Sequence, residues 1–259
     1  MTLSSPAMDD RRSALARADL LLGAFDAAHP TLSLPGLAAR TGLPRTSVRR
    51  TVIKLVELNW LERRGDRFAV GSKLFEVGGL CRVQNRLRAA ALPHLEDLYE
   101  ATHQTVHLGV LRGDQVLYVE KLAGHRPATR LTRVGGRMPA HCTAIGKVLT
   151  AYSGPTAETT LRSAGLTRRT GSTITSGTGL ERELQAIRGA GVAFDREECE
   201  VGLACVAAPV RAATGAPYAA VSVTAAVDRM QLARMAAVVQ ATAHRVARAL
   251  DQPLSGTAG

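Results

Sequence analysis

The stretch TLSLPGLAARTGLPRTSVRRTVIKLVELNWLERRGDRFAVGSKL, residues 31–74, constrains the fold more than any other part of the chain. Ser33 is a residue type that caps helix N-termini, and it precedes a short helical segment. In the TGLP turn that follows, Gly42 can take a positive φ, and Pro44 suits the first turn of a second helix from about Arg45 to Leu58. Two helices joined by a short glycine-containing turn form the helix-turn-helix pattern.

The second of these helices has two different faces. Its apolar residues recur at the three- and four-residue spacing of a face that packs on a core: Val48, Val52, Leu55 and Val56. Thr46, Arg50 and Lys54 lie four apart on another face, with Arg49 beside them. The segment WLERRGDRFAVG then predicts a strand, a tight Gly-Asp turn and a second strand, which together make a wing.

The same segment carries a large excess of positive charge. Eight Lys or Arg residues and only three acids lie between Arg40 and Arg67, within a chain of formal net charge +11 and pI of about 10.4. A surplus of this size favours a polyanionic partner, either a nucleic acid or, less often, a membrane surface. A basic helix face taken alone is more often simply exposed to solvent. The charge therefore indicates a polyanionic partner only in combination with the turn, the buried face and the wing around it.

Together these features predict a winged helix-turn-helix that binds double-stranded DNA. Short polar side chains near the start of a recognition helix can approach base edges, and arginine reads guanine or clamps phosphate. Arginines in a wing contact the DNA backbone, which positions the protein without reading the base sequence. The predicted DNA-binding residues are Arg45, Thr46, Ser47, Arg49, Arg50 and Lys54 on the helix, and Arg63, Arg64 and Arg67 in the wing.

Composition predicts a cytoplasmic protein with no membrane partner. No apolar run is long enough to span a bilayer, and the N-terminal residues carry acids and arginines where a signal peptide has a basic start and a continuous apolar stretch. The cysteines form no CxxC pair, and in a reducing compartment they are expected to be free thiols: Cys81, Cys142, Cys199 and Cys205.

The rest of the chain predicts a linker and a second, larger domain. A helical linker over residues 72–90 connects the DNA-binding domain, residues 1–71, to residues 91–252. A helix break is expected near Pro93. Hairpin strands and helices follow without regular βαβ order, which favours an α+β domain with an antiparallel sheet. Residues 253–259 are predicted to be a disordered tail.

The stretch MPAHCTAIGK, residues 138–147, contains three groups that could carry chemistry: a His, a Cys and a Gly-Lys pair. A Walker phosphate loop needs Gly where His141 stands and Ser or Thr after the Gly-Lys pair, so that motif is absent. His141 and Cys142 are adjacent and do not face each other on a helix, so a Cys-His nucleophile pair is disfavoured. A helix that starts near His141 offers free backbone N–H groups for a small carboxylate. Gly146 is expected to serve packing and Lys147 to lie on the surface.

No metal site, cofactor or catalytic residue is predicted. His103 and His107 are four apart, as in helical metal-binding pairs, but the segment around His107 alternates like a strand. Exposed or core histidines explain the two residues better than a metal site.

These motifs resemble the IclR family of bacterial transcriptional regulators. The segment LPGLAARTGLPRTSVRRTVIKLVELNWLERRGDRFAVGSKLFEVG resembles the family's winged helix-turn-helix, and TSVRRTVIKLVELNW is particularly close to the branch that regulates aromatic-acid (β-ketoadipate) catabolism. MPAHCTAIGKVLTA resembles the family's Pro-x-His…Gly-Lys signature. FDREECEVGLACVAAPVRAATGAPYAAVSVTA resembles its C-terminal signature, and the likeness covers about residues 14–250.

The resemblance implies that the second domain is a GAF-like effector-binding domain. Family members that bind small organic acids hold the carboxylate on backbone N–H groups, here those of Ala144 and Ile145. Ala144 stands where glyoxylate-type binders carry Gly, which argues against the same effector. The implied effector-binding residues are Leu131, Ala144, Ile145, Asp195, Cys205, Ser222 and Thr224.

The predicted function is a DNA-binding transcriptional regulator, not an enzyme, controlled by a small organic acid. The resemblance implies a homodimer joined through the winged domains, with two dimers often paired into a tetramer. Two alternatives remain open from the residues alone: an effector-independent DNA-binding protein, and a small-molecule hydrolase built on Cys142 or Cys205.

Overall fold

The structure, a computed structural model, describes residues 13–26, 28–123, 129, 131–212 and 214–251. It divides the chain between Arg82 and Val83 into two compact units. We call them the N-terminal unit and the C-terminal unit and describe each by itself. The tail predicted over residues 253–259 lies outside the described residues.

The N-terminal unit has the order expected of a winged helix-turn-helix. Its elements are α1 (Ala14–Leu22), β1 (Thr31–Ser33), α2 (Leu34–Thr41), α3 (Arg45–Glu57), β2 (Leu61–Arg64), β3 (Arg67–Val70) and α4 (Ser72–Gly79). The strands form an antiparallel sheet in the order β1-β3-β2. The predicted helix-turn-helix and wing are therefore confirmed.

Local chemistry explains the turn between α2 and α3. The Ser33 hydroxyl accepts a hydrogen bond from the Gly36 N–H at 3.3 Å and caps α2. Gly42 ends α2 with φ of 68°, a conformation that residues with a Cβ rarely adopt. Pro44 then takes the cap position before α3. Val48, Val52 and Leu55 of α3 are buried in the core of the unit together with Leu21, Leu37 and Leu61.

The C-terminal unit contains a six-stranded sheet between helices. Its elements are α5 (Arg82–Thr102), β4 (Thr105–Arg112), β5 (Gln115–Leu122), β6 (Arg137–Pro139), α6 (Ala144–Tyr152), α7 (Pro155–Ala164), α8 (Gly177–Ala190), β7 (Ala193–Arg196), β8 (Leu203–Arg211), β9 (Pro217–Ala226) and α9 (Leu232–Asp251). The strand order is β6-β5-β4-β9-β8-β7, and every neighbouring pair is antiparallel. The predicted α+β class with an antiparallel sheet is confirmed.

Alternation along the strands sends side chains to two separate cores. On β4, Val106, Leu108 and Val110 pack with leucines of α5 and with small and β-branched residues of α9. The opposite face of the sheet packs with α6 and α8, and its apolar cluster includes Ile145 and Leu184. His107 lies between Val106 and Leu108, so its side chain belongs to the α6 face.

The structure corrects the predicted linker. The single helix expected over residues 72–90 is two helices, because α4 ends at Gly79 and α5 begins at Arg82. The predicted break near Pro93 is wrong, since α5 continues through Pro93 to Thr102. An interior proline costs a helix roughly 3 kcal/mol. The burial of Leu87, Leu95 and Leu98 of α5 stabilises the helix by roughly 1.5–3 kcal/mol for each side chain. Together these contributions outweigh the cost of the proline.

Candidate nucleic-acid interface and effector cavity

The predicted DNA-binding residues of α3 share its solvent-facing side. Arg45, Thr46, Arg49, Arg50 and Lys54 are exposed and Ser47 is partly exposed, while the opposite face of the helix packs on the core. Lys54 is engaged with Glu57 through a 2.8 Å ion pair. Within the described parts of the chain, the side chains of Arg45, Arg49 and Arg50 have no hydrogen-bond or ion-pair partner. These three guanidinium groups are therefore free to bind an external anion.

The wing arginines are exposed but are tied to their own unit. Arg63 Nε donates to the Gly65 carbonyl at 2.9 Å, and Arg64 lies 3.5 Å from a Glu62 carboxylate oxygen. Arg67 donates to both the hydroxyl and the carbonyl of Thr31, at 3.0 and 2.7 Å, and so links β3 to β1. Arg67 thus has a structural function in the wing whatever it contacts outside.

A cavity lies between the sheet of the C-terminal unit and the start of α6. It has about 440 Å³ of space free of atoms, its open mouth included. All the residues implied as effector-binding line it: Leu131, Ala144, Ile145, Asp195, Cys205, Ser222 and Thr224. Residues that lie up to 93 positions apart in sequence, from Leu131 to Thr224, are therefore assembled around one space.

Strand register explains why the polar residues meet. Thr224 of β9 lies opposite Cys205 of β8, and Cys205 lies opposite Asp195 of β7. This row crosses the sheet on the α6 face, and the Cys205 thiol lies 3.1 Å from the Thr224 hydroxyl. In the neighbouring row, Ser222 of β9 lies opposite His107 of β4. The floor of the cavity is therefore a patch of hydroxyl, thiol, carboxyl and imidazole groups.

The start of α6 supplies backbone donors to the same cavity. The Thr143 hydroxyl caps the helix by accepting from the Gly146 N–H at 3.2 Å, and the Thr143 carbonyl accepts from the Lys147 N–H at 2.9 Å. No described residue accepts a hydrogen bond from the N–H of Ala144 or of Ile145, and both residues line the cavity. Gly146 has its expected packing function, because a Cβ there would lie 2.3 Å from the Cα of Ala140.

The sequence analysis missed part of the cavity wall. The additional lining residues are His107, Tyr118, Thr129, Thr132, Met138, Thr143, Cys199, Glu200 and Leu203. The buried His107 Nε2 is 2.8 Å from the Thr132 hydroxyl oxygen, and its ring centroid is 5.0 Å from that of Tyr118. Alternation around His107 was a signal that its side chain lies on the face opposite Val106. The loop that brings Thr129 and Thr132 to the wall carries no comparable pattern.

The described residues of the cavity wall carry no positive charge at neutral pH. Burial, with a smaller contribution from Lys121, lowers the pKa of His107 to about 3, so its ring is neutral. Burial raises the pKa of Asp195 to about 6, although its carboxylate accepts hydrogen bonds from the N–H groups of Glu198 and Cys199. The lining residues that the structure describes include no Lys or Arg. An anion in this cavity would therefore be held by neutral donors.

Lys147 was expected on the surface, and that expectation is wrong. Its side chain is fully buried, and its ammonium group lies 2.7 Å from a Glu183 oxygen and 2.5 Å from a Glu198 oxygen. Burial raises the pKa of Glu198 to about 7 against the opposing effect of Lys147. This ion pair joins α6 to the segment that carries Cys199 and Glu200 into the cavity wall.

Comparison with known proteins identifies the family. The profile of the IclR helix-turn-helix domain matches residues 14–65, and that of the bacterial transcriptional regulator IclR C-terminal domain matches residues 82–252. The chain belongs to the IclR family. IclR-family proteins are transcriptional regulators with a DNA-binding helix-turn-helix domain and a C-terminal effector-binding domain, and this chain has both domains.

Individual IclR-family proteins resemble the chain over most of its length. The transcriptional regulator XynR of Escherichia coli K12 is 32% identical, and the match covers 92% of this chain and 96% of XynR. The Pca regulon regulatory protein of Pseudomonas putida is 30% identical, with 85% of this chain and 77% of that protein covered. The IclR homolog of Microbacterium hydrocarbonoxydans, solved with 4-hydroxybenzoate, has a TM-score of 0.83 and 28% identity, and the match covers 92% of this chain and 99% of that one.

Within the described residues, no helix has the length and apolar character needed to cross a membrane. The same residues contain no group of three or more His, Cys, Asp or Glu side chains arranged to hold a metal ion.

Replacing His107 with Gln is expected to make the protein less sensitive to acid. The folded protein keeps this ring neutral down to about pH 3, whereas the unfolded chain protonates it near its ordinary pKa of 6.5. The unfolded state therefore binds more protons between these values, so this residue lowers the free energy of unfolding as the pH falls through that window. Urea denaturation between about pH 7 and pH 5 should show a steeper loss of stability in the wild type than in the variant.

The control for this experiment is the exposed His244, replaced with Gln. Asp195 and Glu198 have raised pKa values, so they raise the free energy of unfolding as the pH falls. Both residues are present in the wild type and in the two histidine variants. The difference between variants therefore isolates the histidine. Equal slopes for wild type and the His107 variant would contradict the buried, neutral state of the ring.

Proposed function

We propose that operator binding by this regulator is controlled by a small monocarboxylic acid held in the cavity of the C-terminal unit. The observation that carries this proposal is that Ala144 and Ile145, whose N–H groups have no acceptor among the described residues, line the same cavity as Ser222 and Thr224. Helix N-termini attract anions because their N–H groups are unsatisfied and the helix dipole is positive there. The hydroxyl groups add further neutral donors.

The charges around the cavity favour one carboxylate over two. Asp195 and Glu200 both line the wall, and the described lining residues include no Lys or Arg to offset their charge. A second carboxylate on the ligand would lie near these acids without a partner, which is costly in a site of low dielectric constant. The rest of the ligand meets Leu131, Met138 and the Tyr118 ring. This wall suits an apolar or aromatic body, as in the 4-hydroxybenzoate of the M. hydrocarbonoxydans relative.

We propose that α3 binds in the major groove of double-stranded operator DNA. Arg45, Arg49 and Arg50 are free for phosphates or guanines, and Thr46 and Ser47 lie at the start of the helix where side chains reach base edges. We propose that the protein acts in the cytoplasm as a homodimer, with two dimers pairing into a tetramer. The effector then changes DNA affinity by binding one arrangement of the dimers more tightly than another.

The Ser222→Ala variant tests the effector cavity. Loss of one hydrogen bond, worth about 0.5–1.5 kcal/mol, should weaken 4-hydroxybenzoate or a related monocarboxylate about 2- to 12-fold. DNA binding without effector should be unchanged, because Ser222 lies in the C-terminal unit. Affinity is measured by calorimetry and by the ligand-induced rise in melting temperature. Ser163→Ala, at an exposed serine of α7, is the matched control.

Two results would contradict this proposal. One is a ligand panel in which dicarboxylates raise the melting temperature and monocarboxylates do not. The other is a Ser222→Ala variant whose effector response equals that of Ser163→Ala. A protein that binds DNA but responds to no metabolite would favour the effector-independent alternative.

The hydrolase alternative is disfavoured by the state of the thiols. Burial and the nearby Asp195 carboxylate raise the pKa of Cys205 well above its ordinary value, so at neutral pH this residue is a thiol and not the thiolate that a nucleophile requires. The neighbouring Cys199 and burial raise the pKa of Cys142 as well. We propose that the chain has no hydrolytic activity, and incubation of the purified protein with candidate acids and their esters should give no turnover.

A further inference from the structure

We propose that Tyr118 and His107 select effectors that carry a hydroxyl group in addition to their carboxylate, so that the effector is a hydroxy-monocarboxylic acid. This inference rests on the function proposed above and narrows its ligand class. The two residues lie on neighbouring strands, β5 and β4, and both line the effector cavity. Neither belongs to the residues that the family resemblance implied.

Tyr118 brings an unpaired hydroxyl to the cavity wall. The residue is only 5% exposed, and its hydroxyl forms no hydrogen bond with any described residue. The phenol oxygen is not sealed in the core either, because the fully enclosed side-chain atoms that lack a partner within the described residues do not include it. The space that this oxygen reaches is therefore the cavity. Buried phenol groups usually have a hydrogen-bond partner, so this one is available to a ligand.

His107 adds a second unpaired atom beside this hydroxyl. The residue is 2% exposed, and its ring centroid lies 5.0 Å from that of Tyr118. Its Nε2 is 2.8 Å from the Thr132 hydroxyl oxygen, whereas its Nδ1 forms no hydrogen bond with any described residue. Like the phenol oxygen, Nδ1 is not among the fully enclosed, unpaired atoms of the described residues. The same part of the wall thus contains two buried residues that each have one polar position open to a ligand.

Both rings are held in place by the sheet and by the loop that carries Thr132. Tyr118 lies opposite Gly109, on the face of the sheet that also carries His107. The Lys121 ammonium donates to the Thr132 carbonyl at 2.7 Å and so fixes the loop residue that holds His107. A ligand therefore meets polar groups that are already oriented, and little loss of side-chain freedom opposes its binding.

A hydroxyl is the ligand group that satisfies both residues. Burial lowers the pKa of His107 to about 3 and raises the pKa of Tyr118 above its ordinary value, so both side chains are neutral at neutral pH. The phenol can donate or accept, and Nδ1 does one or the other according to which ring nitrogen carries the proton. A ligand hydroxyl also donates and accepts, so it fits either tautomer. A second carboxylate only accepts, and two neutral groups in a wall that also contains Asp195 and Glu200 would not balance its charge.

Calorimetry on the full-length protein with benzoate and with its ortho-, meta- and para-hydroxy derivatives tests this selection. We expect the wild type to bind at least one hydroxybenzoate more tightly than benzoate by about 5-fold or more, since two hydrogen bonds contribute roughly 2- to 12-fold each. Tyr118→Phe should weaken binding of that isomer about 2- to 12-fold and leave benzoate affinity unchanged, because Phe keeps the ring. His107→Phe should also lower the ratio of the two affinities. The matched control is Tyr99→Phe, at a tyrosine that packs on the other face of the sheet.

Equal affinity of the wild type for benzoate and the hydroxybenzoates would overturn the selection and leave the monocarboxylate effector intact. The same conclusion follows if Tyr118→Phe weakens benzoate and the hydroxybenzoate equally, because the residue then has only a structural function. Hydroxybenzamides, which keep the hydroxyl and carry no negative charge, separate the two proposals. If they bind in a manner that depends on Tyr118 while no carboxylate binds, the carboxylate effector fails and the hydroxyl selection stands. If none of these compounds binds to the wild type, both proposals fail.

Discussion

Replacing Arg49 and Arg50 together with Ala is expected to lower the affinity for operator DNA by at least about 30-fold. Both side chains are exposed on α3 and have no partner within the described residues, so their removal leaves the helix and the core of the unit intact. Each arginine that contacts a base or a phosphate contributes about 1–3 kcal/mol, and 2 kcal/mol for the pair already corresponds to roughly 30-fold.

The measurement uses duplex DNA that the protein itself selects from a random library, at several salt concentrations. If the two arginines contact phosphates, the slope of log affinity against log salt should fall by about 2 and random DNA should be weakened equally. If they read bases, the loss of affinity should be larger on the selected sequence than on random DNA.

The matched control is Arg182→Ala with Arg234→Ala, which removes the same charge from exposed helix positions of the C-terminal unit. An affinity loss no greater than in this control would contradict α3 as the recognition helix.

Replacing Lys147 with Met is expected to destabilise the protein by roughly 3–5 kcal/mol, the cost of leaving a buried charge without its partner. Lys147 is fully buried, and the side chain of Glu198 is 8% exposed, so neither charge can be solvated instead. The second oxygen of the Glu198 carboxylate is buried and has no hydrogen-bond partner within the described residues, so the Lys147 ammonium is the main group that stabilises the charge of this carboxylate. Denaturation by urea measures the loss.

The matched control is Lys73→Met, which breaks an ion pair with Glu76 on α4. The side chains of that pair are 48% and 59% exposed, and exposed pairs contribute about 0–1 kcal/mol. The stability lost on replacing Lys147 with Met should also be smaller near pH 5 than near pH 8. The pKa of Glu198 in the folded protein is about 7 even with Lys147 present. The folded state therefore holds a proton there that the unfolded state lacks, and the free energy of unfolding falls as the pH rises through this range. A Lys147→Met protein as stable as Lys73→Met would disprove the buried ion pair.

The helix-turn-helix was predictable because its determinants are local. A helix cap at Ser33, a positive φ at Gly42 and the spacing of Val48 and Val52 each act within one or two helical turns. Pro93 shows the limit of this reasoning. Proline disfavours a helix locally, but the contacts of Leu87 and Leu95 with the sheet keep α5 continuous, and those contacts join distant parts of the chain.

The effector cavity was predictable only through family resemblance. Nothing in the sequence alone indicates that Asp195, Cys205 and Thr224 lie in one row, because the row depends on the register of three strands. His107 was rejected as a metal ligand and then left without a function. Strand alternation placed its side chain on the correct face, but only the strand order puts β4 next to β9 and so puts His107 beside Ser222.

The sequence by itself determined the helix-turn-helix and wing, the two faces of α3 and the positive charge of the DNA-binding unit. These properties depend on residues within a few positions of each other, where backbone geometry and side-chain spacing are decisive. Tertiary structure alone decided that Lys147 is buried between two carboxylates. Its burial depends on how α6 packs against α8 and the segment after β7, and the free energy of that packing is shared among residues far apart in the chain.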